Sequence, residues 1–199
     1  MMKQEIEIEF KNLLTSTEFH KLIDAFHIDN SQFKEQTNYY FDTPNFDIKE
    51  KRAALRIRSK NDRYVLTLKQ PSKVGLLETH ETLTKEETTR LLKGECPLPS
   101  SMEKQIKTLG IEVRKVNLFG SLTTKRAEVP YKDGLLVLDH STYLNHEDFE
   151  LEYEVKNEES GKKAFLELLN RFHIPMRETN NKIQRFFNLK YKQLGEHDE

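Results

Sequence analysis

The sequence is poor in residues that cross-link or interrupt a chain. Its 199 residues include one cysteine, Cys96, and only 7 glycines and 6 prolines. A single cysteine can form neither an intramolecular disulfide nor a cysteine-based zinc cluster, and this usage suits a reducing compartment. No Gly-rich or Pro-rich stretch and no fixed-period repeat divides the chain. We therefore expect one domain over residues 1–199.

Long hydrophobic runs and a targeting pattern are also missing. No segment approaches the roughly 18 consecutive apolar residues of a membrane span. The sequence begins with alternating charges instead of a basic region followed by an apolar one, so we expect a cytoplasmic protein. The 32 Lys and Arg residues nearly balance the 33 Asp and Glu residues. This balance gives no overall attraction to nucleic acid or membrane, so any anion-binding site must be local.

Two common catalytic motifs are absent as well. No GxxxxGK[ST] pattern occurs, because Gly161-Lys162-Lys163 lacks the upstream glycine and the final Ser or Thr. The seven histidines show no HExxH spacing. These absences exclude a Walker phosphate loop and a zincin-type metal site.

Alternation of polar and apolar residues is the dominant pattern and predicts strands. The intervals between consecutive strands are mostly too short for helical crossovers, so the pattern favours an antiparallel α+β fold with seven to nine strands and four or five helices. Strands are predicted at 3–11, Tyr39 to Asp42, Ala53 to Ser59, Arg63 to Lys69, Leu76 to Leu83, 112–119, 121–129, 134–140 and 149–156. Helices are predicted at Thr15 to Phe26, Lys85 to Lys93, Ser101 to Leu109, 160–172 and Asn181 to Gln193.

Three helix starts show the spacing of a capping box, in which Ser or Thr is followed three residues later by Glu. The pairs are Thr15 with Glu18, Thr84 with Glu87, and Ser100 with Glu103. We expect each first residue of these pairs to be the N-cap of its helix.

Several strands carry charged residues on one face and apolar residues on the other. Arg56 and Arg58 alternate with Leu55 and Ile57, and the same arrangement recurs near residues 67–69, 124–126 and 150–154. The helices can cover the apolar faces from outside, which leaves the charged faces to meet one another. About eight antiparallel strands can close into a barrel wide enough for a small ligand. We therefore predict a closed antiparallel eight-stranded β-barrel with a charged interior and helices outside.

The charged faces contain two chemically different sets. Crowded carboxylates raise one another's pKa values, and a divalent cation bound to their oxygens relieves that repulsion. Crowded cations need a polyanion, and Arg in particular pairs bidentately with phosphate oxygens. A triphosphate with Mg²⁺ or Mn²⁺ satisfies both sets, whereas direct ion pairs between the sets, or ordinary solvated sheet faces, are the alternatives. The acidic set is Glu5, Glu7, Glu9, Glu150, Glu152 and Glu154, and the basic set is Lys11, Arg56, Arg58, Lys69 and Arg126.

These residues resemble the CYTH family, the triphosphate tunnel metalloenzymes, which include thiamine triphosphatases, inorganic triphosphatases and class IV adenylyl cyclases. The likeness covers nearly the whole chain. Its defining ExExK motif is present as Glu7-Ile8-Glu9-Phe10-Lys11, preceded by Glu5. The supporting segments, in order, are Tyr39-Tyr40-Phe41-Asp42-Thr43, Leu55-Arg56-Ile57-Arg58, Leu66-Thr67-Leu68-Lys69, Thr124-Lys125-Arg126, Asp139 and Glu150-Leu151-Glu152-Tyr153-Glu154.

The resemblance implies an eight-stranded tunnel that holds one or two divalent metals and a triphosphate. Lys182 resembles the family's C-terminal phosphate-binding lysine, although Asn181 stands where a serine is common. The part played by Glu78 or Glu81 stays open. The metal ligands that the resemblance implies are Glu7, Glu9, Asp139, Glu150, Glu152 and Glu154, and the phosphate-binding residues that it implies are Arg56, Arg58, Lys69, Arg126 and Lys182. From the charged faces themselves we add Glu5 to the predicted metal ligands and Lys11 to the predicted phosphate-binding residues.

Two residues carry open alternatives. Lys11 is expected either to help deprotonate the attacking water, with a pKa lowered by neighbouring cations, or simply to contact phosphate. Tyr39 is expected either to pack over the substrate as part of the catalytic site or to fill space in its strand.

The activity predicted from these residues and the resemblance is metal-dependent hydrolysis of inorganic tripolyphosphate or a small organic triphosphate. The alternatives are a class IV adenylyl cyclase and a non-catalytic polyphosphate or nucleotide sensor. A cyclase would form cyclic AMP from ATP, and a sensor needs mainly the basic set. We expect no nucleic acid or membrane partner, and both a monomer and a homodimer are open.

Overall fold

The computed structural model describes residues 3–73 and 75–195. Eight strands pair in the order β1-β5-β4-β3-β2-β6-β7-β8 and form a closed barrel, with antiparallel pairing between neighbours. This confirms the predicted fold class. The strands are β1 Lys3–Leu14, β2 Lys34–Asp42, β3 Ala54–Lys60, β4 Arg63–Pro71, β5 Leu76–Leu83, β6 Asn117–Tyr131, β7 Gly134–Tyr143 and β8 His146–Val155. The helices are α1 Ser16–Ala25, α2 Asp47–Glu50, α3 Lys85–Leu92, α4 Ser100–Thr108, α5 Glu158–Arg171 and α6 Lys182–Gly195.

Two of the three predicted capping boxes are confirmed. Thr15 and Thr84 each accept the backbone N–H of the Glu three residues later, and each Glu side chain accepts the N–H of its cap residue. The third prediction was wrong, because Ser100 is already the first residue of α4 and Pro99 occupies the cap position without a side-chain hydrogen bond.

Several predicted strand boundaries were wrong, because pairing with neighbouring strands extends or excludes residues that the local pattern assigned differently. Residues 117–131 form one long strand instead of two, since Gly120 does not interrupt it, and Val113–Lys115 forms a 3-10 turn. Strand β2 begins at Lys34, five residues before the predicted start. Helix α2 and the 3-10 turn Asn30–Gln32 were missed because elements of about one turn have no measurable periodicity.

The chain divides into two compact units, which we describe separately. The first unit comprises Met1–Glu7 and Gln36–Ser121, and the second comprises Ile8–Glu35 and Leu122–Glu199. Strand β1 contributes to both, since its residues 3–7 pair with β5 and its residues 8–14 pair with β8. The prediction of a single domain over residues 1–199 stays a prediction.

The core of the first unit lies between its sheet and two helices. Leu55 and Ile57 of β3 and Leu66 and Leu68 of β4 alternate with other residues along their strands, so these four side chains point to one face of the sheet. They pack there against residues of α3 and α4. The buried members include Leu55, Ile57, Leu66, Leu68, Leu91, Met102 and Ile106.

The core of the second unit has the same construction. Leu138 of β7 pairs directly with Leu151 of β8, so both side chains lie on the face that α1 and α5 cover. The charged residues Asp139, Glu150 and Glu152 of these strands lie on the opposite face, where Lys182 and Arg185 of α6 contact them. The buried members of the core include Phe19, Leu22, Leu136, Leu138, Leu151, Tyr153, Phe165 and Leu168.

Among the described residues, no helix combines the length and the apolar character needed to cross a membrane.

Helix α5 offers a test of this core with a matched control. Leu168 is 0% exposed and belongs to the second-unit core, whereas Leu166 on the same helix is 39% exposed. We expect Leu168→Ala to lower the free energy of unfolding by about 2–5 kcal/mol, because it leaves a cavity. Leu166→Ala should cost less than about 1 kcal/mol. Urea unfolding measures both, and equal losses would contradict this description of the core.

Candidate functional site

The second unit holds a cluster of charged side chains on the sheet face opposite α1 and α5. Its position follows from strand register, since Arg126 pairs with Asp139, Asp139 with Glu150, and Lys11 with Glu152. Residues paired in this way point to the same side of the sheet. We call this group the second-unit cluster: Glu9, Lys11, Arg126, Asp139, Asp148, Glu150, Glu152, Glu154, Lys182 and Arg185.

Lys182 lies at the centre of this cluster. Its Nζ atom is 2.9 Å from Asp139 Oδ2, 2.8 Å from Glu150 Oε2 and 2.5 Å from Glu152 Oε1. The lysine is the first residue of α6, whose start is fixed by Asn181. The Asn181 side chain accepts the N–H of Gln184 at 3.0 Å, and the Gln184 side chain accepts the N–H of Asn181 at 3.3 Å. Asparagine therefore performs the capping that serine performs elsewhere.

Two arginines hold the same carboxylates from other directions. Arg126 donates from Nε and Nη2 to the two oxygens of Asp139, at 2.7 and 2.6 Å, and from Nη2 to Glu152 at 2.6 Å. Arg185 donates to Asp148 at 2.8 and 3.1 Å and to Glu150 at 2.6 Å. These charge-assisted bonds fix the positions of the acidic side chains.

The ion pairs determine the protonation states in the cluster. Burial raises the pKa of Glu152, but Lys182, Arg126 and Lys11 outweigh it and hold that pKa well below its ordinary value. The pKa of Asp139 is likewise raised by burial and lowered further by Arg126 and Lys182. Burial lowers the pKa of Lys182, and the surrounding carboxylates nevertheless raise it well above its ordinary value. All three groups are therefore charged at neutral pH.

Lys11 differs from one of the two sequence-based expectations. Its Nζ atom lies 2.6 Å from Glu9 Oε1. Burial lowers the pKa of Lys11, but Glu9, Glu152 and Glu150 outweigh burial, and the net shift is upward. The expected lowering by neighbouring cations was wrong, because the nearest charges are carboxylates. Lys11 is thus a fixed positive charge.

The second-unit cluster fits a divalent cation. It contains six carboxylates and four basic side chains, so a charge of about +2 would neutralise the remainder. Glu150 is 0% exposed, and its buried Oε1 atom has no hydrogen-bond partner among the described residues. Carboxylate oxygens are the ligands that Mg²⁺ and Mn²⁺ prefer. Asp139, Glu150 and Glu152 together could hold such an ion.

The first unit has a second charged group, on the sheet face opposite α3 and α4. Lys69 bridges the carboxylates of Glu7, at 2.5 Å, and Glu78. Burial raises the pKa of Glu78, but Lys69 and Arg56 outweigh it and lower the pKa. Arg58 donates from Nε to Asn38 Oδ1 at 3.2 Å. Strand register places Arg56 beside Thr67 and Arg58 beside Val65 on this same face.

His80 is a member of this group that the sequence reasoning overlooked. Its Nδ1 atom is 3.0 Å from Thr67 Oγ1, and its Nε2 atom is 3.2 Å from both Glu5 Oε1 and Glu78 Oε2. Glu5, Glu78 and His80 offer ligand atoms that all lie within 4.8 Å of one another, so they could hold a metal ion. The sequence did contain a signal for this group. Glu78 and His80 are two residues apart in β5 and so share one face of the strand, as Thr67 and Lys69 do in β4.

Glu78 and Glu81, whose part in metal binding the sequence left open, lie on opposite faces of the sheet. Glu78 pairs with Lys69 and lies with the charged group, whereas Glu81 pairs with Leu66 on the helix-covered face. The Glu81 carboxylate accepts a hydrogen bond from Ser101 of α4.

Tyr39 corrects another expectation. It pairs with Ile57, and its ring packs against the apolar core of the first unit. Its neighbour Tyr40 pairs with Arg56 and points to the charged face. Tyr39 therefore fills space in its strand, and the expectation that it belongs to the catalytic site was wrong because the strand alternation turns it to the other side.

The predicted metal ligands and the predicted phosphate-binding residues form direct ion pairs with one another, although the sequence analysis treated them as two separate sets. In the second unit, the expected phosphate-binding residues Arg126 and Lys182 contact the expected metal ligands directly. In the first unit, Lys69 does the same with Glu7. The alternative of direct ion pairs therefore describes both groups as they stand in this structure.

Comparison with known proteins gives three relevant matches. The CYTH domain matches residues 5–187. The Bacillus subtilis (strain 168) protein YjbK, provisionally named a triphosphatase, is 49% identical over 193 residues, which cover 97% of this chain and 100% of the relative. The crystal structure of a Bacillus halodurans protein, provisionally described as an adenylate cyclase, superposes with a TM-score of 0.89 at 43% identity and covers 92% of this chain and 98% of its own.

A more distant structure shares the fold. The Hippeastrum protein HpAC1, provisionally described as an adenylyl cyclase with a dominant triphosphatase activity, has a TM-score of 0.76 at 22% identity. The match covers 92% of this chain and 96% of that protein.

The ion pairs predict a broad pH range of stability. The folded pKa of Glu152 lies below its ordinary 4.5, so its contribution is present above pH 4.5 and is lost as the pH falls through the folded pKa. The folded pKa of Lys182 lies above its ordinary 10.5, so its contribution is present below pH 10.5 and is lost as the pH rises through the folded pKa. Urea unfolding across pH, with chelator present, should show this plateau.

Glu152→Gln provides the control for the acidic limb of this profile. It removes one partner of a buried ion-pair network, so we expect a loss of about 3–5 kcal/mol at neutral pH. Its stability should then fall less steeply below pH 4.5 than that of the wild type. Parallel acidic limbs would rule out Glu152 as a source of the acid sensitivity.

Proposed function

This chain belongs to the CYTH domain family, and we propose that it is an enzyme that hydrolyses a triphosphate with the help of a divalent metal ion. Family membership and the triphosphatase name of a relative 49% identical support triphosphate hydrolysis in general. The observation that carries the metal dependence is the set of three buried carboxylates around a single ammonium group in the second unit. We infer that the substrate is inorganic tripolyphosphate or a small organic triphosphate.

The proposed phosphate-binding residues are five basic side chains on charged sheet faces and Lys182, which reaches such a face from α6. In the first unit these are Arg56, Arg58 and Lys69, and in the second unit they are Lys11, Arg126 and Lys182. Arginine offers phosphate a planar fork of N–H donors, and lysine offers a point charge. Because Lys11 has a raised pKa, it contributes positive charge and does not act as a base.

The proposed metal ligands are carboxylates in both units. A bound Mg²⁺ or Mn²⁺ would neutralise charge on phosphate oxygens and orient the attacking water. Asp139, Glu150 and Glu152 are the best-placed holders in the second unit, since they are buried and fixed by arginines. The remaining candidates are Glu5, Glu7, Glu9 and Glu154.

The decisive experiment is a phosphate-release assay on the purified protein. Tripolyphosphate, thiamine triphosphate and ATP are each supplied with Mg²⁺ or Mn²⁺, and cyclic AMP is measured in the ATP reaction. We expect hydrolysis of at least one triphosphate and its loss when EDTA is added. No turnover of any substrate, or cyclic AMP as the main product from ATP, would overturn the proposal.

Arg58 provides a test of phosphate binding within that assay. Losing a charge-assisted contact of about 1.5–3 kcal/mol should lower kcat/KM for Arg58→Met by roughly tenfold to a hundredfold. Arg90→Met is the control, because this substitution removes the same charge from an exposed residue of α3. Equal losses in the two variants would show that the effect comes from overall charge.

The Glu5, Glu78 and His80 group predicts a metal site with a nitrogen ligand. An imidazole ligand suits later transition metals such as Co²⁺ and Ni²⁺ better than Mg²⁺ or Mn²⁺. We expect His80→Gln to remove one Co²⁺-binding event in calorimetric titration and to change the visible absorption of bound Co²⁺. His140→Gln is the matched control, because His140 Nε2 also contacts a glutamate, Glu147, at 2.7 Å. An unchanged Co²⁺ titration in His80→Gln would exclude this site.

A further inference from the structure

The ammonium group of Lys182 has the surroundings of a bound cation. Three carboxylates from two strands, Asp139 on β7 and Glu150 and Glu152 on β8, place oxygens 2.5–2.9 Å from its Nζ atom. Asp139 and Glu150 are both fully buried, so these charges have little solvent to stabilise them. A positive charge at this point therefore offsets the cost of burying these carboxylates together.

A divalent ion at the same carboxylates would take the place of this ammonium. Mg²⁺ and Mn²⁺ bind carboxylate oxygens directly, and the oxygens that face Lys182 are the ones that such an ion would use. Two cations sharing these oxygens at such short range would repel each other strongly. Docked lysine and bound metal are therefore alternative states of one site.

The ammonium leaves part of the site unsatisfied. Glu150 Oε2 lies 2.8 Å from Lys182 Nζ and accepts a hydrogen bond from Arg185, whereas the buried Oε1 of the same carboxylate has no hydrogen-bond partner in the part of the chain that the structure describes. An ammonium has three N–H donors, and three carboxylates already surround this one. A metal ion with six or more ligands could engage that additional oxygen.

From this geometry we propose that Lys182 and a divalent metal ion compete for the carboxylates of Asp139, Glu150 and Glu152, so that metal entry displaces the lysine ammonium. In the resting protein, the lysine holds the metal site assembled. Displacement then makes the ammonium available to a phosphate group, and this last consequence rests on the proposed function.

The lysine can leave without moving its helix. Its charge sits on a flexible four-carbon stem. Arg185, one turn later in α6, remains bound to Asp148 and Glu150 and donates to the backbone oxygen of Asn180 at 2.6 Å. The capping contacts of Asn181 and Gln184 also do not involve the Lys182 side chain. The start of α6 is therefore anchored independently of the lysine.

The first test compares Mn²⁺ affinity in three proteins by calorimetric titration. A docked lysine leaves only a fraction of molecules competent to bind metal, so Lys182→Met should lower the apparent Kd for Mn²⁺ by about tenfold or more. Arg185→Met is the control for simple removal of charge, since Arg185 contacts only one of the three carboxylates. It should change the Kd several-fold less. An equal or smaller effect of Lys182→Met would overturn the proposal.

The second test uses the wild-type protein and does not depend on the folding of a variant. Amine acylation followed by mass spectrometry reports how often Lys182 is released. With saturating Mg²⁺, the acylation rate of Lys182 should rise about tenfold, because the fraction of molecules with a released lysine increases from a minority to nearly all. Lys132 is the internal control, because it pairs with a single exposed carboxylate, Glu167, at 2.6 Å. An unchanged rate at Lys182, or an equal rise at Lys132, would overturn the proposal.

Neither test requires turnover, so the two proposals can fail separately. If the protein hydrolyses no triphosphate but both tests give the expected result, the competition stands and the proposed function does not. If turnover is found but Lys182 is neither displaced nor inhibitory to metal binding, the proposed function stands and the competition does not.

Discussion

Neutralisation of buried carboxylates is the constraint on which the second unit depends. The apolar faces of β7 and β8 are covered by α1 and α5, which leaves the acids Asp139, Glu150 and Glu152 on the other face. Buried ions of one sign are costly unless opposite charges contact them. Lys182, Arg126 and Arg185 supply those charges, and they come from a strand and from the C-terminal helix. The carboxylates therefore connect β6 and α6 on this face of the sheet.

The same constraint connects the fold to chemistry. An ion-pair network of this kind is a poor way to gain stability, since well-packed apolar residues often serve as well or better. A site that must bind a metal ion, by contrast, needs carboxylates that stay ionised when no metal is present. The lowered pKa values of Asp139 and Glu152 provide that readiness. The first unit shows a parallel arrangement, in which Lys69 contacts the carboxylates of Glu7 and Glu78 beside His80.

Much of this arrangement could be predicted from the sequence. Period-two alternation in β1, β3 and β8 placed the charged residues on one face of each strand, because successive side chains of a strand point to opposite sides. Capping spacing at Thr15 and Thr84 located two helices for an equally local reason. The order of the charged segments carried the resemblance to the CYTH family, which the match over residues 5–187 confirms.

What the sequence determined by itself was therefore local: the strands, the parity of their charged residues and the family. Tertiary structure decided which charges meet, because cross-strand register and the position of α6 join residues that are far apart in the chain. Arg126 reaches Glu152, and Lys182 reaches Asp139, only through such pairing. The same long-range geometry raised the pKa of Lys11, turned Tyr39 into the core and brought His80 to Glu5. Electrostatic shifts depend on distances through space, and alternation along one strand does not contain them.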